Sequence, residues 1–498
     1  MTQGFKSGAI FEPETSFPAI IAWEMGLRDD AFRFAPFAGE GGLPLNIENL
    51  LRRLDHRYGA NVNVWEIPQA LASVRSWMDQ TEDYWERGPG AAPLSYSGPF
   101  HNLAVWGFDL QDAFNVTAAM CREKTKNPSD DWLLQIPDHA MYRTALRVLN
   151  PSHSTEPIDT EATGVKRAKQ LAADGGIENL IVFLGNNNVL GSVLTLEFIE
   201  STDREINVED PSERKATVWT PAHYATLLDR LVQEVEAIGA ERVFWGTVPA
   251  VTIPPVTNGV GGRLEADPGV ASPHGKSDDP KWFRRYFNYY TRPWVPDDRF
   301  RPYEDKHLTG NQVIEIERTI LSYNGSLKDR VEEHNGTRED EGRDPDWFIV
   351  DTHRTLERLA FRRYREDPSV PPPPDWEPYK LPQAYVDLGL DTRFLRAKNG
   401  RRIQGGFFSL DGVHPTTAGC GILAQEFIDV MHAAGVNFTR GDGHTERSEP
   451  VKVDYERVLK QDTMVYSLPQ TLDDLWGNLV DGDQFVDIFK RALRALSP

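Results

Sequence analysis

The segment Leu410-Asp411-Gly412-Val413-His414-Pro415 places a carboxylate and an imidazole three residues apart. An apolar helical pattern of Ile422, Leu423, Phe427, Ile428 and Met431 follows directly. Histidine is the side chain best suited to take and return a proton near neutral pH. A carboxylate beside it can hold one ring nitrogen, fix the tautomer and leave the other nitrogen to act as base. Asp411 and His414 therefore read as two members of a nucleophilic triad, in the order acid then base. The nucleophile has to come from elsewhere. The opposing reading, a surface turn with a helix cap, is outweighed by where the pair falls among the elements that must position it.

Continuous apolar runs at residues 103–107, 180–184, 243–248 and 347–350 predict four strands. Amphipathic patterns predict helices near residues 15–27, 47–54, 71–85, 110–120, 165–173, 224–238, 313–331 and 416–434. Apolar strands alternating with amphipathic helices imply a parallel sheet covered on both faces. In such a sheet, ligands bind beyond the carboxyl ends of the strands. The residues that follow each strand are thus the candidates for chemistry.

After the first run comes Gly107, whose N–H could face a developing oxyanion; the alternative is a glycine required only by a tight turn. After the second comes Gly185-Asn186-Asn187-Asn188, where an Asn amide could donate to the same oxyanion, a contribution of roughly 3–4 kcal/mol to the transition state. Helix capping is the competing role for these asparagines. After the fourth run, Asp351 reads as a helix cap, and His353 could stand near the site but reads first as solvent-facing.

The composition narrows the function classes. With 54 basic and 75 acidic residues, the net charge of -21 speaks against nonspecific binding to nucleic acid or to anionic lipid. Cys121 and Cys420 are too few and too far apart for a disulfide framework or a metal knuckle, and read as buried thiols. No apolar run approaches transmembrane length. Gly-x-Ser-x-Gly and His-Glu-x-x-His are absent, and Gly275-Lys276-Ser277 lacks the first glycine and the preceding strand of a phosphate loop.

Three segments interrupt the alternation. Residues 258–310 carry an aromatic cluster (Trp282, Phe283, Tyr286, Phe287, Tyr289, Tyr290 and Trp294) that reads as the core of an insertion rather than as the lid of a lipase. Residues 365–406, with the proline run 371–374, read as a long loop. Residues 436–498 read as a charged linker and a helical C-terminal extension, with Phe485, Ile488, Phe489, Leu493 and Leu496 in helical spacing.

The motifs in this order resemble those of the GDSL or SGNH ester-hydrolase family. Asp411-Gly412-Val413-His414-Pro415 fits the family's last block in full. Asn102-Leu103-Ala104-Val105-Trp106-Gly107 is similar to its second block, and Gly185-Asn186-Asn187-Asn188 to its third, with Asn188 in place of the usual Asp. Val248-Pro249-Ala250-Val251-Thr252-Ile253-Pro254 is similar to the strand exit of these enzymes. The resemblance spans residues 1–435 and implies an α/β, flavodoxin-like three-layer sandwich with a central parallel sheet in the order 2-1-3-4-5. It implies Asp411 and His414 as catalytic residues, with Gly107 and Asn187 as oxyanion donors, Asn186 remaining an alternative to Asn187. It implies no metal or organic cofactor. The substrate would be a small-molecule, lipid or carbohydrate ester.

The family's first block carries the nucleophile, Gly-Asp-Ser, and Met1-Thr2-Gln3-Gly4-Phe5 is similar to the continuation of that block. The resemblance therefore places the nucleophilic Ser immediately before Met1 and the first, central strand before that. A chain without that strand is expected to be inactive. It should also fold poorly, because each buried backbone group left unpaired costs roughly 1–3 kcal/mol against a total stability of about 5–15 kcal/mol. A nucleophile-less binding or scaffolding protein is the rival reading.

Overall fold

Three of the four expected strands form one parallel sheet in chain order: Asn179–Val182, Arg242–Gly246 and Trp347–Val350. Val182 stands beside Trp245, and Trp245 beside Ile349, so the apolar runs pair without a shift. The protein is described by a computed structural model at residues 13–28, 31–37, 39, 42–43, 46–59, 66–128, 137–264, 286–366, 376–398, 400–439, 445–447 and 450–470, with the short strands Phe5–Lys6 and Ile10–Phe11.

Successive side chains of a strand point to opposite faces, and here both faces are apolar and covered. Phe244 and Val350 pack with Phe17, Ile20, Phe427 and Ile428, from helices Phe17–Glu24 and Thr417–Ala433. Val243, Trp245 and Trp347 face the other way, into a core shared with Leu228, Leu231, Ile320 and Leu327. Those residues belong to helices Pro221–Glu236 and Gly310–Asp340. Both of these helices start at designed-in stops: Thr220 accepts from His223 N–H, and Thr309 with Gln312 forms a capping box. The result is a mixed helix and strand fold around a small parallel sheet.

The expected strand at 103–107 is not one. Residues 103–107 join no ladder among the described residues, and the only pairing there is an isolated bridge between Phe34 and Asn102. An apolar run becomes a strand only where a second backbone meets its N–H and C=O groups, and no described segment does so here. Asn179–Val182 is likewise the edge of the sheet among the described residues. The helix expected over 110–120 is divided into Asp112–Asn115 and Ala118–Thr125, because Thr117 turns extended and caps Met120 N–H at 3.1 Å.

The interruptions are more structured than expected. Asn258–Arg263, Phe287–Thr291 and Leu308–Thr309 form an antiparallel sheet, and Tyr286, Tyr290 and Trp294 are buried in the main core. Trp282, Phe283 and the triplet Gly275-Lys276-Ser277 lie outside the described residues. Residues 365–406 are not a plain loop: they hold helix Gln383–Asp387 and the hairpin Arg396–Lys398 with Arg401–Gln404. The proline run lies outside the described residues. After residue 436, Val451, Val453 and Val458 share a core with Phe427, and helix Tyr455–Gln461 packs on Thr417–Ala433. Positions 485–496 lie outside the described residues, as does Met1-Thr2-Gln3-Gly4. Cys121 and Cys420 are both buried thiols, and no described helix is long and apolar enough to cross a membrane.

Candidate active site

The turn bearing Asp411 and His414 is closed by its own backbone. Ser409 N–H donates to His414 C=O at 2.8 Å, and Gly412 N–H to Ser409 C=O at 3.0 Å. Gly412 has φ +72, and a β-carbon there would sit 2.9 Å from Val256 N, which itself donates to Gly412 C=O. The turn is thereby tied to the chain leaving the second sheet strand. Immediately afterwards Thr416 caps helix Thr417–Ala433 by accepting from Gly419 N–H at 3.2 Å. Gly412→Ala should cost about 1–3 kcal/mol through the left-handed φ and the contact with Val256. Urea unfolding measures this, and an unchanged midpoint would mean the turn can relax.

Asp411 is 2% exposed and fully engaged. Its Oδ1 accepts from Ser409 Oγ at 2.6 Å, Val413 N–H at 2.8 Å and His414 N–H at 3.0 Å. Its Oδ2 accepts from His414 Nδ1 at 2.7 Å. Burial acts to raise this carboxyl, but the charge of His414 and the hydrogen bonds from His414, Ser409 and Val413 hold it below the ordinary carboxylate range. Burial likewise pulls His414 below its ordinary value, while Asp411 acts to raise it. The imidazole is therefore neutral at pH 7, with its proton on Nδ1 and its lone pair on Nε2.

The strand exits converge on the same place. Gly107 has φ +80, and a β-carbon would lie 3.1 Å from Met141 Sδ. The turn thus needs glycine for backbone reasons. Gly107 N–H makes no hydrogen bond to another described residue. Asn187 opens helix Asn187–Thr195 and donates Nδ2–H to Phe108 C=O at 2.7 Å. Asn188 is buried and accepts from Leu110 N–H at 3.1 Å. Asn186 stands at the helix cap with no capping bond, and its Oδ1 is buried without a partner among the described residues. The two loops are thus laced together by their asparagines.

Gly107, Asn186, Asn187 and His414 all line one cavity of about 170 Å³. It opens at the carboxyl ends of the sheet strands, where Leu184, Pro249, Val251 and Thr352 also contribute. Phe407, Phe408, Leu356 and Leu359 make most of the rest of its wall apolar. Asp411 stands behind His414, outside the lining. Asp351 caps its helix as expected, accepting from Arg354 N–H at 3.1 Å. His353 is not solvent-facing: it is 6% exposed and lies outside the cavity wall. Its helix turns that side inward, because Thr352 and His353 are both held by Thr247.

Several supporting residues carried no sequence signal. Ser409 steadies Asp411, but a lone serine two residues upstream matches no motif. Asp109 and Asp112 both pair with Arg214 Nη1, at 2.9 and 2.8 Å, and so brace the loop after Gly107. Burial and the charge of Asp109 push Asp112 up to about 8, against the pull of Arg214. Only folding brings position 214 next to that loop. Among the described residues, no group of three metal-ligating side chains comes together.

Compared with protein-family models, curated proteins and solved structures, the chain matches none. A neutral imidazole oriented by a buried carboxylate, facing an apolar cavity with amide donors across it, can accept a proton from a hydroxyl and stabilise an oxyanion.

Proposed function

We propose that this protein is a serine-type ester hydrolase of the GDSL or SGNH kind, its sheet being the 3-4-5 part of the flavodoxin-like order 2-1-3-4-5. The observation that carries the reading is the 2.7 Å contact from His414 Nδ1 to Asp411 Oδ2, at a cavity that Gly107 and Asn187 also line. His414 Nε2 takes the proton from a serine hydroxyl as that hydroxyl attacks the acyl carbonyl. Gly107 N–H and the Asn187 amide hold the oxygen as it becomes negative. His414 then returns the proton to the departing alcohol, and water releases the acid by the same two steps. The serine belongs outside the described residues.

Fluorophosphonate labelling of the natively expressed protein, followed by peptide mapping, tests this. A single labelled serine, lost in His414→Ala, is the expected result. No adduct, together with no hydrolysis of p-nitrophenyl butyrate, would rule the reading out. In the active protein, Asn187→Ala should lower kcat by about 10²–10³-fold with little change in KM. An equal rise in KM alone would assign Asn187 to ground-state binding.

A second reading has one observation in its favour. Among the described residues the cavity wall has no serine or cysteine. Its threonines donate elsewhere: Thr352 to Thr247 C=O, Thr355 to Glu426 at 2.6 Å, and Thr392 to Leu359 C=O at 3.2 Å. A protein that binds ligands in this cleft without cleaving them fits that wall, and the labelling experiment separates the two.

A further inference from the structure

Residues 393–402 carry five basic side chains and no acidic one, in a chain whose net charge is -21. They build the antiparallel hairpin Arg396–Lys398 with Arg401–Gln404. Two of the five have structural work. Arg393 pairs with Asp391 at 2.5 Å, and Arg402 donates to the carbonyls of Leu388, Gly389 and Gly405. Arg396, Lys398 and Arg401 are exposed and form no ion pair with a described residue.

Lys398 and Arg401 are direct cross-strand partners. Like charges placed opposite each other destabilise a strand pair, so this hairpin carries a cost that its fold does not explain. Its base is rigid. At Gly405 (φ +80) the returning strand passes so close to Arg393 and Leu395 that a β-carbon would lie 2.8 Å from their backbone. That base is also the cavity wall: Thr392 just before the hairpin, and Phe407 and Phe408 just after it, line the same cavity as His414. The basic hairpin therefore grows directly out of the apolar wall.

We propose that this hairpin binds an anionic group of the substrate, so that the ester cleaved is amphiphilic: an apolar part in the cavity and a phosphate or carboxylate against Arg396, Lys398 and Arg401. The inference rests on the ester-hydrolase reading above. An anion meets repulsion from the protein as a whole. Fields beyond about 8–10 Å are screened at physiological salt, however, so the three cations of the hairpin set the sign of the field around it. Guanidinium groups also match phosphate and carboxylate geometry with paired N–H donors.

Calorimetric titration with dodecyl phosphate and with uncharged dodecyl maltoside, each below its micelle concentration, tests this without needing turnover. Dodecyl phosphate should bind more tightly, and added salt should erase the preference. The variant Arg396→Gln, Lys398→Gln, Arg401→Gln should lose it by roughly tenfold, the sum of three exposed charge contacts. It should melt no lower than the wild type, since a repulsion has been removed. Equal affinities for the two ligands, a preference kept by the variant, or no binding of either would overturn the proposal. So would binding confined to phosphatidylglycerol vesicles, which would make the hairpin a surface-docking device. Hydrolysis of neutral p-nitrophenyl butyrate by the wild type reports separately on the hydrolase reading.

Discussion

Replacing His414 by Ala is expected to abolish ester hydrolysis, with kcat falling on the order of 10⁶-fold. The expectation follows from the ring's position as the one imidazole in the described cavity wall. With its Nδ1 given to Asp411, proton transfer falls to Nε2, and the described wall holds no second imidazole to replace it. Asn187 and Gly107 would still stabilise the oxyanion, which leaves a small residual rate above that of water. Steady-state assays on the active protein check this. A variant that kept a tenth of the wild-type rate would remove His414 from the mechanism. Circular dichroism should show an intact fold, because His414 is 12% exposed and lies at the cavity rather than in the core.

Asp411→Asn is expected to lower kcat by about 10⁴-fold while leaving the turn folded. The reason lies in the three donors on Asp411 Oδ1: Ser409 Oγ–H, Val413 N–H and His414 N–H. An asparagine must keep its oxygen where those donors are. Its NH₂ then faces His414 Nδ1, which can only accept. The ring's proton is driven to Nε2, and the base is lost by tautomer rather than by displacement.

The pH dependence gives a second readout. In the wild type the ring is held below its ordinary 6.5, chiefly by burial. The neutral base therefore persists as pH falls through 6.5, and the acid limb of the rate profile lies below that value with unit slope. Asp411 acts to raise the ring, so the variant's limb should move to still lower pH. A limb moving upward would mean that Asp411 does not face the ring.

Much of this was legible in the sequence, for identifiable reasons. Three strands were found as unbroken apolar runs, because each is buried on both faces by helices. Long helices such as Pro221–Glu236 were found from a single apolar stripe, because one side of each meets the sheet. Residues 103–107 have the same apolar character yet form no strand among the described residues. Burial can be read from one segment, whereas pairing requires a second one. His353 is buried rather than solvent-facing for a related reason: which side of a short helix faces inward depends on Thr247, more than a hundred positions away.

The sequence by itself determined the local chemistry: an acid and a base three residues apart, with a glycine between them that permits a tight turn, ahead of a helix that begins at Thr417. Residues three apart can meet through the geometry of the turn itself, which Val256 N–H then holds from outside. Only the tertiary structure decided that Gly107, Asn187 and His414 share one cavity, that its wall is apolar, and that the residues flanking a basic hairpin form part of that wall. Those positions lie far apart along the chain, and what brings them to one edge is the burial of both faces of a three-stranded sheet.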